Sequence, residues 1–125
     1  MEFPLAHEKI NRAMIIYKRL FGLMHPDVAN VYNNIGILYI KQGLFVEALE
    51  LLHKSLDIRT KVFKFENLEI AKSYNNIGLV YERQGRVEET LEYYNKALEI
   101  FIKYFGENHP HIAIIYNNVG YLYVN

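Results

Sequence analysis

The residues best suited to chemistry in this sequence are its histidines, and their spacing forms no catalytic or metal-binding motif. They are His7, His25, His53, His109 and His111. No two of them stand four residues apart as in a helical zinc motif, and the chain has no cysteine to supply a thiolate ligand. Neither a glycine-rich phosphate loop nor a nucleophile elbow occurs. The sequence therefore predicts no enzyme, no metal site and no cofactor.

Pairs of adjacent asparagines are the second chemical feature, and they recur at a fixed interval. The pairs begin at Asn33, Asn75 and Asn117, which are equally spaced along the chain. Each pair lies inside an apolar stretch with helical spacing, of which VYNNIGILY at residues 31–39 is the first. Asparagine is a poor helix former, because its amide competes with the backbone for hydrogen bonds. Its threefold recurrence therefore requires a structural or functional reason.

The whole sequence repeats with this period, which defines the elements that carry the asparagines. Residues 25–66 and 67–108 share 17 identities over 42 positions. Each repeat has two apolar stripes with helical spacing, from about 26 to 42 and from about 45 to 63, separated by a helix-stop signal at Gly43. The pattern continues to both ends, so we predict six helices in the order B0-A1-B1-A2-B2-A3.

This pattern resembles the tetratricopeptide repeat, whose A helix has a large residue at position 4, a small one at 8 and tyrosine at 11. Tyr32, Gly36 and Tyr39 match it in the first repeat. In two departures, Thr90 stands where alanine is usual, and the proline that ends the B helix is absent, so we expect the B helices to continue further. The 42-residue form is similar to kinesin light chain repeats. The resemblance implies an all-α tetratricopeptide repeat superhelical solenoid, in which the glycine lets A and B helices approach closely.

The period and the resemblance together imply one array without separate domains. Residues 1–24 form a partial repeat with helix B only, and 25–66 form repeat 1. Residues 67–108 form repeat 2, and 109–125 form a partial repeat with helix A only.

The resemblance also implies a site, because one arc of each A helix lines the concave groove in tetratricopeptide proteins. An asparagine amide both donates and accepts hydrogen bonds, so a row of them suits the backbone of an extended peptide. We therefore predict a scaffold or adaptor that binds a protein or peptide partner. The predicted peptide-binding residues are Asn30, Asn33, Ile37, Lys41, Lys72, Asn75, Leu79, Arg83, Asn117 and Tyr121.

The second asparagine of each pair lies at the edge of that arc and has an alternative role. Asn34, Asn76 and Asn118 point toward the next helix on a helical wheel. They are candidates either for ligand contact or for hydrogen bonds between helices. The sequence leaves both interpretations open.

Charge and hydropathy restrict the other partners and the location. Fourteen basic residues balance fourteen acidic ones, which weighs against nucleic acid as a partner. No apolar run approaches the roughly 18 residues of a membrane span. We expect a cytoplasmic protein that binds neither nucleic acid nor membrane.

The helices at the two ends suggest a second function, a structural module that self-associates. In such a solenoid, helix B0 would pack against a preceding A helix and helix A3 against a following B helix. A head-to-tail or swapped homo-oligomer would provide both contacts. A fragment cut from a longer array is the alternative interpretation. The residues predicted for self-association are Phe3, Ile10, Met14, Val119, Leu122 and Tyr123.

Overall fold

The computed structural model describes residues 3–22, 24–64 and 66–124, and it has six α-helices. They are α1 (Phe3–Phe21), α2 (Pro26–Lys41), α3 (Phe45–Val62), α4 (Leu68–Arg83), α5 (Val87–Phe105) and α6 (Pro110–Val124). The residues that the structure describes include no strand, which confirms the predicted all-α class. Within the same ranges, none of the helices combines the length and apolar character that a membrane span requires.

The chain divides into two compact units, Met1–Val62 and Phe63–Asn125. Helices α1 to α3 belong to the first unit and α4 to α6 to the second. Helices α3 and α5 extend to Val62 and Phe105 without interruption, as the absence of the terminal proline predicts.

Local sequence signals set the boundaries of the A-type helices. At the start of α2, His25 Nδ1 accepts the backbone N–H of Asp27 at 3.0 Å. At the start of α4, Asn67 Oδ1 accepts a backbone N–H of the first turn at 2.9 Å. Beyond the ends of these helices, Gly43 and Gly85 have φ of 76° and 74°, a conformation that glycine adopts without strain.

The α2–α3 pair is held together at a glycine notch. A Cβ atom on Gly36 would lie 2.7 Å from Leu52 Cδ2, a separation that real Cβ contacts do not reach. The missing side chain therefore lets α3 approach α2 closely, as the sequence predicts. Buried Ser55 adds a hydrogen bond from its Oγ to the carbonyl oxygen of Ala29 at 2.8 Å.

The α4–α5 pair repeats this packing with different side chains. A Cβ atom on Gly78 would lie 2.6 Å from Cδ1 of Tyr94, whose ring fills the notch and is 1% exposed. The unusual Thr90 is fully buried, and its Oγ1 donates to the carbonyl oxygen of Arg86 at 2.7 Å. Because that hydroxyl is satisfied by the backbone one turn earlier, threonine can stand where alanine is usual.

The remaining helices, α1 and α6, each pack on one side of a helix pair. Helix α6 contacts α5 and buries Ile112 and Ile115. Helix α1 contacts α2 and contributes Met14 to a core that includes Val28 and Ile58. Each unit therefore consists of one A/B helix pair with a third helix on its side.

Candidate functional site

The first asparagine of each pair differs in accessibility from repeat to repeat. Asn33 is buried, with 9% of its surface exposed, and it interacts with another group of the protein. Asn75 is half-buried, whereas Asn117 is exposed. The sequence predicts an outward orientation for all three, and Asn33 departs from it because neighbouring groups cover its side chain. Asn75 and Asn117 therefore provide the accessible amides of this set.

In one repeat, the second asparagine of the pair forms a hydrogen bond between two helices, which was the alternative to ligand contact. Asn118 makes a side-chain hydrogen bond to the hydroxyl of Tyr94, which connects α6 to α5. Asn76 is half-buried and interacts within the protein, whereas Asn34 is exposed. A role in connecting helices is therefore supported at Asn118.

The hydroxyl of Tyr94 is the centre of a polar network that joins three helices. It donates to Glu82 Oε1 of α4 at 2.8 Å, and Asn118 of α6 supplies the second bond. Burial, followed by the bond to Glu82, raises the pKa of Tyr94 well above its ordinary value. Sequence reasoning missed this network. One signal could have revealed it: Tyr94 occupies the repeat position of Leu52 in the first repeat, which predicts a buried side chain. A buried tyrosine hydroxyl usually requires a hydrogen-bond partner.

The predicted site residues on α2 present one fixed amide and one exposed cation. Arg59 of α3 is buried, and its Nη2 donates to Asn30 Oδ1 at 2.9 Å. Ile37 is half-buried and Lys41 is exposed at the end of the helix. The contact between Arg59 and Asn30, which the sequence did not predict, fixes the orientation of the asparagine.

The predicted residues on α4 combine polar and apolar groups. Lys72 Nζ lies 3.3 Å from Glu69 Oε1 in an exposed ion pair one turn away. Leu79 is half-buried, as Asn75 is, and Arg83 is exposed. This surface therefore presents an amide, an aliphatic side chain and a guanidinium group at successive turns.

The predicted residues on α6 border a shallow depression. Asn117 and Tyr121 line it together with Tyr116 and Gly120, and its volume is about 360 Å³. Tyr121 is exposed, so its ring and the amide of Asn117 face solvent side by side. The structure thus places these two predicted residues on the border of one depression.

The residues predicted for self-association on α1 need a correction. Met14 is buried in the core of the first unit, and Ile10 packs against that core, because this side of α1 faces α2 and α3. The exposed apolar side chains of α1 include Ile15 and Ile16 instead. The side chain of Phe3 lies outside the part of the chain whose side chains the structure describes.

The residues predicted for self-association on α6 are more accessible. Tyr123 is 76% exposed, and Val119 and Leu122 are half-buried. This surface of α6 corresponds to the faces that α2 and α4 use to contact their B helices.

Comparison with known proteins decides the family. A family model described as Tetratricopeptide repeat matches residues 2–61 and 69–124. The chain belongs to the tetratricopeptide repeat family. Such repeats generally mediate protein–protein interactions and are generally non-catalytic. No curated protein matches the chain.

Solved structures share the tetratricopeptide repeat fold and include kinesin light chain-like proteins. The crystal structure of BtubC (BKLC) from P. vanneervenii has 27% identity and a TM-score of 0.76, with 96% of this chain and 50% of that chain covered. A Podosopora anserina putative kinesin light chain with nearly identical TPR-like repeats has 21% identity and a TM-score of 0.72. That match covers 94% of this chain and 55% of that chain. This chain therefore spans about half the length of these structures.

Two histidines of this tetratricopeptide repeat chain, His25 and His109, act at helix starts. His109 Nδ1 accepts the backbone N–H of His111 at 3.2 Å, which repeats the arrangement of His25. Within the described ranges, no three histidine, aspartate or glutamate side chains come together as a group that could hold a metal ion. These contacts assign His25 and His109 to helix capping.

Proposed function

We propose that this chain is a non-catalytic scaffold that binds an extended peptide segment of a partner protein along the arcs of its A helices. The observation that supports this most is on α6, where Asn117 and Tyr121 border a depression of about 360 Å³. An exposed amide beside an aromatic ring suits a peptide, because a peptide offers backbone hydrogen-bonding groups next to side chains. Membership of the tetratricopeptide repeat family supports a protein as the partner.

Each accessible residue of the second unit has a distinct role in this proposal. Asn75 and Asn117 donate to and accept from the peptide backbone, whatever the peptide sequence. Leu79 and Tyr121 contact apolar side chains of the peptide. Arg83, which is exposed at the end of α4, attracts its carboxylates.

Helix α2 contributes the corresponding residues of the first unit. Asn30, whose oxygen Arg59 holds, keeps its amide N–H groups for the peptide. Ile37 supplies an apolar contact, and Lys41 supplies a second exposed cation. Lys72 binds a carboxylate less strongly than Lys41, because Glu69 already pairs with it.

A peptide-array screen followed by affinity measurements tests this proposal. The array identifies peptides that wild-type protein captures, and fluorescence polarisation then measures their affinity for a variant with Asn33→Ala, Asn75→Ala and Asn117→Ala. We expect roughly tenfold weaker binding, because the two accessible amides, those of Asn75 and Asn117, each lose hydrogen bonds worth about 0.5–1.5 kcal/mol. The double variant Asn75→Ala, Asn117→Ala leaves buried Asn33 intact, so it separates lost contacts from lost stability.

A matched control carries the same three changes elsewhere. Asn11, Asn95 and Asn108 are exposed and lie outside the predicted arcs, so their replacement by alanine should leave affinity unchanged. Equal loss of affinity in the control, or full affinity in the triple variant, would refute the proposed binding surface.

A further inference from the structure

A buried cation of α3 holds one of the exposed asparagines of α2. Arg59 is 3% exposed, and its Nη2 donates to Asn30 Oδ1 at 2.9 Å. Arg59 also interacts with another group of the protein, so its guanidinium is held at more than one point. Asn30 itself is exposed. A fixed, buried group therefore orients an accessible amide.

The chemistry of this pair allows only one orientation of the amide. A guanidinium group carries donors and no acceptor, so it can face the oxygen of Asn30 but not the NH₂ group. Within the described ranges, the bond to Arg59 is the one hydrogen bond of the Asn30 side chain. The two N–H groups of this amide therefore remain available to a ligand.

The second unit lacks this pair, although its helices pack in the same way. Lys72 and Phe101 occupy the repeat positions of Asn30 and Arg59, and Phe101 is buried. The α2–α3 and α4–α5 pairs nevertheless share the glycine notch. An arginine at this position is therefore not needed to pack an A helix on a B helix. Because removing a guanidinium from water costs free energy, its presence in α3 requires another explanation.

We propose that Arg59 is a positioning residue of the peptide-binding surface, which makes the amide of Asn30 a donor to a backbone carbonyl of the peptide. This inference rests on the proposed peptide binding and specifies what α2 recognises. An amide with a free oxygen can accept a peptide N–H and donate to a peptide carbonyl, as proposed for Asn75 and Asn117. Asn30 can only donate. The peptide residue that it contacts therefore needs no N–H and can be proline.

The positive charge of Arg59 strengthens the proposed contact. Hydrogen bonds that involve an ionised group are stronger than neutral ones, and they polarise the groups that follow in a chain of hydrogen bonds. The guanidinium draws electron density toward the oxygen of Asn30, so the N–H groups of this amide become better donors. Carbonyl oxygens of the peptide are their matching acceptors.

Affinity measurements on three variants and one control separate positioning from other effects. Asn30→Ala and Arg59→Met are each expected to weaken binding of an array-selected peptide roughly three- to tenfold, because each removes one oriented donor. Arg59→Lys should restore most of the affinity, since an ammonium group also donates to Asn30. Lys61→Met is the matched control and should bind like wild-type protein. It removes an exposed cation of α3, which pairs with Asp57 at 3.1 Å.

Modified peptides reveal which group Asn30 contacts. A scan replaces each peptide carbonyl in turn by a thioamide, which is a weaker acceptor, and each N–H by an ester oxygen, which cannot donate. At one residue the thioamide should weaken binding to wild-type protein but not to Asn30→Ala. The ester that removes the N–H of this same residue should have no effect that depends on Asn30. In Arg59→Met the released amide can rotate, so such an effect should appear.

Nuclear magnetic resonance tests the positioning in the protein without peptide. Relaxation of the Asn30 side-chain NH₂ group should show a rigid amide in wild-type protein and in Arg59→Lys, and a mobile amide in Arg59→Met. A rigid amide in Arg59→Met would overturn the positioning role. If Arg59→Met does not fold, the peptide scan on wild-type protein and Asn30→Ala still decides. An ester effect that depends on Asn30 in wild-type protein would overturn the proposed recognition.

Failure here is distinguishable from failure of the proposed peptide binding. Full affinity in Asn30→Ala, with a loss in the variant carrying Asn75→Ala and Asn117→Ala, would refute the inference about Arg59 alone. Full affinity in both variants, or the absence of any captured peptide, would refute the peptide binding itself and this inference with it.

Discussion

Replacement of Tyr94 by alanine is expected to lower the free energy of unfolding by about 3–5 kcal/mol, the range for truncating a buried aromatic side chain. The ring is 1% exposed and fills the notch at Gly78, so its removal leaves a cavity between α4 and α5. The hydroxyl also joins Glu82 to Asn118 across three helices. Urea denaturation followed by circular dichroism measures the change. A decrease in the free energy of unfolding below about 1 kcal/mol would contradict the conclusion that this ring holds α4 and α5 together.

The conservative variant Tyr94→Phe separates the hydrogen bonds from the packing. It keeps the ring but leaves Glu82 and Asn118 without their shared partner, so we expect a loss of about 1–3 kcal/mol near neutral pH. The raised pKa also makes wild-type stability fall as pH rises past the ordinary tyrosine value of 10.0, because the unfolded state ionises first. Tyr94→Phe should remove this part of the alkaline loss.

The same glycine-to-alanine change is expected to have opposite signs at two equivalent positions. Gly78→Ala should destabilise the protein by about 1–3 kcal/mol, because the new Cβ overlaps the ring of Tyr94, which the bond to Glu82 holds in place. Gly120→Ala should stabilise it by up to about 1 kcal/mol, because alanine favours the helix and meets no neighbour. Both are measured by denaturation at a dilution that keeps the chain monomeric.

Equal effects at the two glycines would show that the notch does not determine how closely the helices pack. Gly36→Ala provides an intermediate case. Its neighbour Leu52 presents a flexible side-chain end, which can move further than a tyrosine ring.

The fold was predictable from the sequence because its determinants repeat. The equal spacing of Gly36, Gly78 and Gly120 specifies helix pairs, and Gly43 and Gly85 mark the turns. The absence of a terminal proline correctly predicts B helices that continue to the ends observed for α3 and α5. Such signals are local or periodic, so they can be recognised in a single sequence.

Features that depend on which neighbour covers a side chain were not predictable in this way. A helical wheel gives Asn33, Asn75 and Asn117 the same direction, yet one is buried and one is exposed. The same wheel does not show which side of α1 the first unit covers, so Met14 was wrongly expected on an open surface. The partners of Tyr94 also required coordinates, because they come from other helices.

The central claim is that a partner peptide binds along the A helices, and nuclear magnetic resonance tests it most directly. Backbone amide shifts are recorded while an array-selected peptide is added to isotope-labelled protein. If the peptide binds there, the largest changes occur at Asn75, Leu79, Asn117 and Tyr121. Changes confined to the outer surfaces of α3 and α5, with these four residues unaffected, would contradict it.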